Sequence, residues 1–191
     1  MLTDQQIIDI LKEANALMEG HFLLTSGRHS DKYMQCAKIF QRGEYSRPLC
    51  KSLAEMFADF NVEVVIGPAI GAIQMAFEVG NCLGVKNIFA ERENGEFTLR
   101  RGFSIEQGRR VLVVEDVVTT GGSVKEVMEL VKNLGGEVVG VGVIVDRSGG
   151  NVDFGVPMES VLQMDITSYE PDDCPICKTG VPLVKPGSRK L

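Results

Sequence analysis

The sequence predicts an α/β fold, a mostly parallel twisted sheet with helices on both faces. Three observations carry that reading. Short apolar runs recur at 62–66, 111–114 and 138–145, the composition of strands buried on both faces. Stretches of helical length, at 72–81 and 123–134, alternate with them. Tight loops of glycine and proline, Gly67-Pro68-Ala69-Ile70-Gly71 and Gly135-Gly136, punctuate the alternation.

The elements follow in order. Thr3 with Gln6 is a capping box, and Ile7, Ile8, Leu11, Ala14, Leu17 and Met18 recur at helical spacing as far as a glycine stop at Gly20. Residues 21–40, which contain Thr25-Ser26-Gly27-Arg28, read as turns and short strands. A second amphipathic helix is expected over about 44–60, with Leu49, Leu53, Met56 and Phe60 on one side. Strands at 62–66 and 87–90 flank the helix at 72–81. Residues 93–103 are polar, charged and glycine-containing, and sit between two buried strands. The strand at 111–114, the helix at 123–134 and the strand at 138–145 complete the alternation, and a tail rich in Pro, Gly and Lys follows from 171 to 191.

The bulk numbers exclude several classes. The 191 residues fit one domain, and a hydrophobic fraction of 44% suits a packed core. A net charge of −6 argues against the broad basic surface that nucleic acid requires. No run of about 20 apolar residues predicts a membrane span. Asp4, Asp9 and Glu13 interrupt any signal-peptide pattern, so the expected location is cytoplasmic, with the five cysteines reduced.

The informative segment is Val111-Leu112-Val113-Val114-Glu115-Asp116-Val117-Val118-Thr119-Thr120-Gly121-Gly122-Ser123. A buried strand is expected to end at Val114, with two carboxylates at its carboxyl end, where ligands bind in open α/β sheets. Gly121 and Gly122 let the backbone turn its N–H groups toward an anion. Thr119, Thr120 and Ser123 add hydroxyl donors, and the following helix adds the positive end of its dipole. Ser123 with Glu126 predicts a second capping box. Glu115 and Asp116 would repel a phosphate, but as acceptors they suit vicinal sugar hydroxyls. A phosphate cradle beside two hydroxyl acceptors describes a ribose 5-phosphate. The order matches neither the P-loop nor G-x-G-x-x-G.

Residues 113–123 resemble the signature of the type I phosphoribosyltransferases, which implies that fold, with a core over about 44–165 and a small hood from about 1–43 and 166–191. By this resemblance residues 115–123 hold phosphoribosyl pyrophosphate: Glu115 and Asp116 take the ribose hydroxyls and Thr119 to Ser123 wrap the 5-phosphate. Phe22-Leu23-Leu24-Thr25-Ser26-Gly27-Arg28-His29-Ser30 with Tyr33, Gly67-Pro68-Ala69 and Val145-Asp146-Arg147 resemble the orotate phosphoribosyltransferases, as does the tail at 173–189. That implies orotate held by Arg147 and Thr119, with Mg²⁺ carried by the substrate's pyrophosphate and ribose. It also implies a homodimer in which the loop at 93–103 crosses to the neighbouring site. Enteric-type members carry a lysine where Thr25 stands, Tyr-Lys where Ile70-Gly71 stands, and further lysines and a histidine in the mobile loop. Here Arg92 matches that loop's arginine, Glu93 replaces a lysine, and Arg100 and Arg101 are the candidate cations. Arg92, Arg100, Arg101 and Asp116 are therefore the candidate catalytic residues, and the alternative for 93–103 is an exposed β-hairpin without a catalytic task. A purine phosphoribosyltransferase and a non-catalytic sensor of phosphoribosyl pyrophosphate remain rival readings.

Cys174-Pro175-Ile176-Cys177 is a single CxxC. One pair cannot fill a four-coordinate zinc shell without another cysteine or a second copy, so a reduced turn is expected. His21 and His29 are expected to be ordinary turn or surface residues.

Overall fold

A computed structural model describes residues 2–24 and 26–186, so Thr25 and the end of the expected tail lie outside the described residues. The core sheet contains β3 (Val64–Pro68), β4 (Lys86–Glu93), β5 (Glu96–Thr98), β6 (Arg110–Val118), β7 (Glu137–Asp146) and β8 (Met158–Gln163). Their order is β5-β4-β3-β6-β7-β8. Every pair is parallel except β4 with β5. Helices α1 (Asp4–Glu13), α2 (Gly43–Met56) and α3 (Ile73–Leu83) cover one face, and α4 (Gly122–Asn133) covers the other.

Strand β6 shows why its sequence is continuously apolar. Leu112 and Val114 join the core under α1, α2 and α3, while Val111 and Val113 join the core under α4. Side chains alternate across a strand, so a strand covered on both faces needs an apolar residue at every position. All four are fully buried, and at about 1.5–3 kcal/mol each they make β6 the anchor of the site that follows it.

A second sheet joins β1 (Leu17–Leu23), β2 (His29–Met34) and β9 (Ser168–Tyr169). The pairings are antiparallel, with His29 opposite Tyr169 and Ser30 opposite Ser168. Arg28 fastens the two ends of the chain together: its Nε and Nη2 donate to Ser168 Oγ and Ser168 O, both at 2.8 Å, and its Nη1 pairs with Glu170. A 3-10 helix, Cys36–Gln41, leads from this sheet into α2.

Several expectations need correction. The Thr3–Gln6 capping box forms, but α1 ends at Glu13 and not near Gly20. Asn15 is left-handed at φ 52°, which breaks the helix, and Leu17, Met18 and Gly20 lie in β1. Their helical spacing arises because the strand buries Leu17 in the core that also holds Ile7 and Leu11. Helix α2 stops at Met56, and a 3-10 helix, Ala58–Phe60, takes the rest. Strand β6 continues to Val118, because its register with β7 holds through Val117 opposite Val145 and Val118 opposite Asp146. Glu115 and Asp116 therefore lie within the strand and not after it. Strand β8 was not expected; as an edge strand with a half-buried pattern, it lacks the apolar run that marks the central strands.

Candidate active site

The site is built where β6 ends and α4 begins. A cavity of about 390 Å³ is lined by Glu115 and residues 117–124, with Glu126 at its side. Thr119, Thr120 and Gly122 are exposed in it, and Gly121 is buried. Gly121 occupies the N-cap of α4 with φ 73° and ψ 11°. Two constraints make this position a glycine. A left-handed backbone disfavours any Cβ, and a Cβ here would meet the Phe154 ring at 2.8 Å and Val152 Cγ1 at 2.9 Å. No side chain caps α4, so its first-turn N–H groups, which a helix cannot satisfy internally, are left for a ligand.

The expected Ser123–Glu126 capping box is absent. The helix starts at Gly122, which puts Ser123 inside the first turn, and Glu126 is drawn away to Arg92 in a two-pronged pair at 2.8 and 3.0 Å.

Glu115 and Asp116 sit side by side, and the Asp116 N–H donates to Glu115 Oε1 at 3.3 Å. Both are only partly exposed. Burial, then the neighbouring Asp116 charge, pushes the Glu115 carboxyl up to about 8. Burial also raises Asp116. Glu115 lines the cradle, while Asp116 turns toward the 67–71 loop, its carboxylate oxygens 3.6 and 3.7 Å from where a Gly71 Cβ would lie. That loop follows β3, and the Ala69 N–H anchors it to Ala90 O at 2.7 Å. Gly67 permits its close approach, since a Cβ there would meet Ala72 Cβ at 2.7 Å and Val114 O at 3.2 Å.

Arg147 follows β7, and its N–H donates to Val118 O at 2.8 Å, which ties it to the end of β6. The turn beyond it is held by Asp146, whose buried carboxylate accepts from the Ser148 N–H at 2.8 Å. The Arg147 Nε is buried and has no hydrogen-bond partner. An unsatisfied guanidinium donor is costly, and it marks a place for an anionic acceptor. Burial holds the guanidinium below its ordinary value, and Cys36 and Tyr33 of the hood are within electrostatic reach. Cys36 in turn is raised mainly by burial and feels Asp116, Arg147 and Glu115. Arg147 with its unpartnered Nε, the two acids and the hood segment thus share one neighbourhood.

The remaining candidates are placed differently. Residues 93–103 form a β-hairpin turn followed by a bend: Arg92 faces Phe97 and Glu93 faces Glu96, with Asn94 and Gly95 both left-handed, the conformation a tight two-residue turn needs. Phe97 anchors the hairpin in the α4-side core, and Arg92 lies over its ring at 4.1 Å. Arg92 reaches the cradle's edge through Glu126, whereas Arg101 pairs with Glu91 at 2.8 Å and Arg100 lies 3.8 Å from Glu93. The last two are not brought to the cradle. His21 and His29 are buried, contrary to the expected surface placement, and lie beside Cys174 and Cys177. Nothing in their local sequence signals this, because the partners are about 150 residues away.

Comparisons with known proteins agree with this geometry. The Phosphoribosyl transferase domain family matches residues 47–154. The chain is 59% identical over 187 residues to the orotate phosphoribosyltransferase of Caldanaerobacter subterraneus subsp. tengcongensis, covering 98% of both chains. It is 58% identical over 190 residues to that of Pelotomaculum thermopropionicum, covering 100% of each. Among solved structures, the orotate phosphoribosyltransferase of Aeropyrum pernix superposes with a TM-score of 0.72 at 26% identity, covering 83% of this chain and 93% of that one.

Proposed function

The chain belongs to the phosphoribosyl transferase domain family, among the orotate phosphoribosyltransferases, and from that premise we propose how its own residues transfer phosphoribose from phosphoribosyl pyrophosphate to orotate, giving orotidine 5′-phosphate and pyrophosphate. The observation that carries the choice of base is Arg147, a half-buried guanidinium whose buried Nε has no partner, beside the sugar-phosphate cradle.

The 5-phosphate occupies the open N-terminus of α4, where the N–H groups and hydroxyls of residues 119–123 grip it. Glu115 and Asp116 accept hydrogen bonds from the ribose hydroxyls. Thr119 and Arg147 orient orotate, the guanidinium taking the carboxylate. Departure of pyrophosphate leaves positive charge at the anomeric carbon, which the Asp116 carboxylate steadies, and negative charge on the leaving oxygens, which arginines must meet. Arg92 stands at the rim for this, and Arg100 and Arg101 are supplied by the 93–103 loop closing over a neighbouring site in a homodimer. Glu115 and Asp116 are the oxygen donors that would face a Mg²⁺ carried by the substrate's pyrophosphate and ribose, and the ion would neutralise charge on the pyrophosphate. The described residues within 1–43 and 166–191 act as a hood over the base. Among the described residues no helix is long and apolar enough to cross a membrane, and we place the enzyme in the cytoplasm.

The test is a spectrophotometric assay of orotate, adenine, hypoxanthine and xanthine with phosphoribosyl pyrophosphate and Mg²⁺. Consumption of orotate alone is expected. Turnover of a purine base in preference to orotate, or of no base at all, contradicts the proposal.

Two further outcomes are expected. An Arg100→Ala/Arg101→Ala double variant should lose on the order of a hundredfold in kcat/KM, the typical effect of deleting donors aimed at developing charge. Wild-type kcat/KM in that variant would remove the role given to the loop. The pH profile has a definite sign. Below about 8 the Glu115–Asp116 pair holds a proton that the sugar hydroxyls must displace, and above it both acids are ionised acceptors. Hence kcat/KM for phosphoribosyl pyrophosphate should rise by up to about tenfold per pH unit toward 8 and then level off. Glu115→Gln should abolish that rise, and an unchanged profile in the variant would show that another group titrates.

A further inference from the structure

Four metal-ligating side chains from opposite ends of the chain converge outside the cradle. His21 lies on β1, His29 opens β2, and Cys174 and Cys177 belong to the segment after β9. One ligand atom from each lies within 4.8 Å of all the others. His21 Nε2 is 3.1 Å from His29 Nδ1, and both Cys174 Sγ and Cys177 Sγ are 3.6 Å from His21 Nε2. Cys177 Sγ is 3.3 Å from His29 Nδ1.

These four separations suit four of the six edges of a small tetrahedron. Zinc–nitrogen bonds of about 2.0–2.1 Å and zinc–sulfur bonds of about 2.3 Å imply edges of about 3.3 Å between nitrogens and about 3.6 Å between nitrogen and sulfur. The four distances match within a few tenths of an ångström, before any ion draws the ligands inward.

The hydrogen bonding points the same way. His21 Nδ1 lies 2.9 Å from Val181 O, and only a protonated nitrogen can bond a carbonyl. In the neutral ring Nε2 then carries a bare lone pair, directed at another imidazole and two sulfurs. Metal-binding histidines are commonly oriented in this way by a carbonyl behind the ring. His21, His29 and Cys174 are 3%, 6% and 1% exposed, so these donors are largely out of reach of water. Cys177 is exposed and gives an ion a way in. Both cysteines are free thiols.

We propose that His21 Nε2, His29 Nδ1 and the thiolates of Cys174 and Cys177 bind one zinc-type divalent cation in a closed structural site. Four protein donors leave no open position for a substrate, and sulfur with imidazole selects zinc over the hard, oxygen-seeking Mg²⁺. Binding forms two metal–sulfur and two metal–nitrogen bonds and releases the thiol protons to solvent, with no change of oxidation state. The CxxC needs neither a further cysteine nor a second copy, because the two histidines of the hairpin complete the shell. The ion would clamp the chain's C-terminal segment onto the β1–β2 hairpin, beside the Leu23 N–H to Val184 O and Val184 N–H to His21 O bonds at 2.8 Å. His21 and His29 lie on the paired strands β1 and β2, so the clamp also fixes that hairpin.

The test uses Co²⁺ as an optical probe on reduced, chelator-stripped protein. One equivalent per chain should give the visible bands and thiolate charge-transfer absorption of a tetrahedral sulfur–nitrogen site, and one equivalent of Zn²⁺ should bleach them. Cys177→Ser, a change at an exposed residue that leaves the core intact, should weaken Co²⁺ binding by about a hundredfold or more and reduce the charge-transfer band. His29→Asn should weaken binding likewise, and Cys82→Ser, at an exposed thiol elsewhere, should change nothing. Zn²⁺ should raise the Tm of the stripped wild-type chain and not that of Cys177→Ser. Absence of the tetrahedral spectrum at equimolar Co²⁺, or a spectrum unaltered by both Cys177→Ser and His29→Asn, overturns the proposal.

Discussion

Arg147→Ala is expected to lower kcat/KM for orotate by two to three orders of magnitude while leaving the affinity for phosphoribosyl pyrophosphate within a few-fold of wild type. The guanidinium is partly buried, its Nε lacks a partner, and its backbone is tied to β6 through Val118, so it is held in place awaiting an acceptor. Deleting one side of a buried, charge-assisted pair typically costs about 3–4 kcal/mol, because the abandoned carboxylate stays desolvated. At about 1.4 kcal/mol per factor of ten, that is the stated loss. Arg147→Lys should recover little, since an ammonium cannot offer the two parallel donors of a guanidinium. Steady-state kinetics with each substrate varied in turn separates the effects. Equal losses for both substrates would show that Arg147 supports the fold and does not read the base.

The second large effect is expected of Gly121→Ala. The substitution places a Cβ on a backbone at φ 73°, 2.8 Å from the Phe154 ring and 2.9 Å from Val152. Left-handed strain and overpacking together cost about 2–4 kcal/mol, which for a chain of this size is roughly 5–15 °C in Tm. The N-cap must shift to relieve the clash, and the N–H groups that grip the phosphate shift with it. Affinity for phosphoribosyl pyrophosphate should fall by about a hundredfold, because anion binding by backbone N–H groups depends on their fixed convergence. Gly122→Ala is the matched control for stability, since a Cβ there meets nothing within 4 Å, and its Tm should stay near wild type. Isothermal titration at a temperature where both variants are folded isolates the binding loss. Wild-type affinity in Gly121→Ala would mean that the cradle's shape is not what holds the phosphate.

The cradle was legible because its parts are contiguous. Strand, acids, hydroxyls, glycines and helix follow one another from 111 to 134, and local chemistry places them without knowledge of the rest. What the sequence misplaced there was small: β6 runs on to Val118, and the helix begins at Gly122, one residue earlier than expected. The hood was harder. Leu17 and Met18 continue a helical spacing, but Asn15 turns the chain into a strand, and only packing against the distant β2 decides between the two. Strand β9 is two residues long and exists because β2 offers it an edge. The meeting of His21 and His29 with Cys174 and Cys177 was not legible at all. Each pair is unremarkable alone, and the hairpin and the C-terminal segment meet only through tertiary structure. The arginines of the 93–103 segment were found by composition, yet Arg100 and Arg101 are occupied by Glu93 and Glu91 of the same hairpin. Composition shows that charge is available and not where it is spent.

The proposed reaction depends on the grip of residues 119–123 on a phosphate monoester, with Glu115 and Asp116 on the adjoining diol. A crystal structure of the chain soaked with ribose 5-phosphate tests this directly. The predicted result is the phosphate at the N-terminus of α4, within hydrogen-bonding distance of the 119–123 backbone, and the two ribose hydroxyls on the carboxylates. Sugar phosphate bound elsewhere, or a cradle that stays empty at saturating ligand, would contradict it.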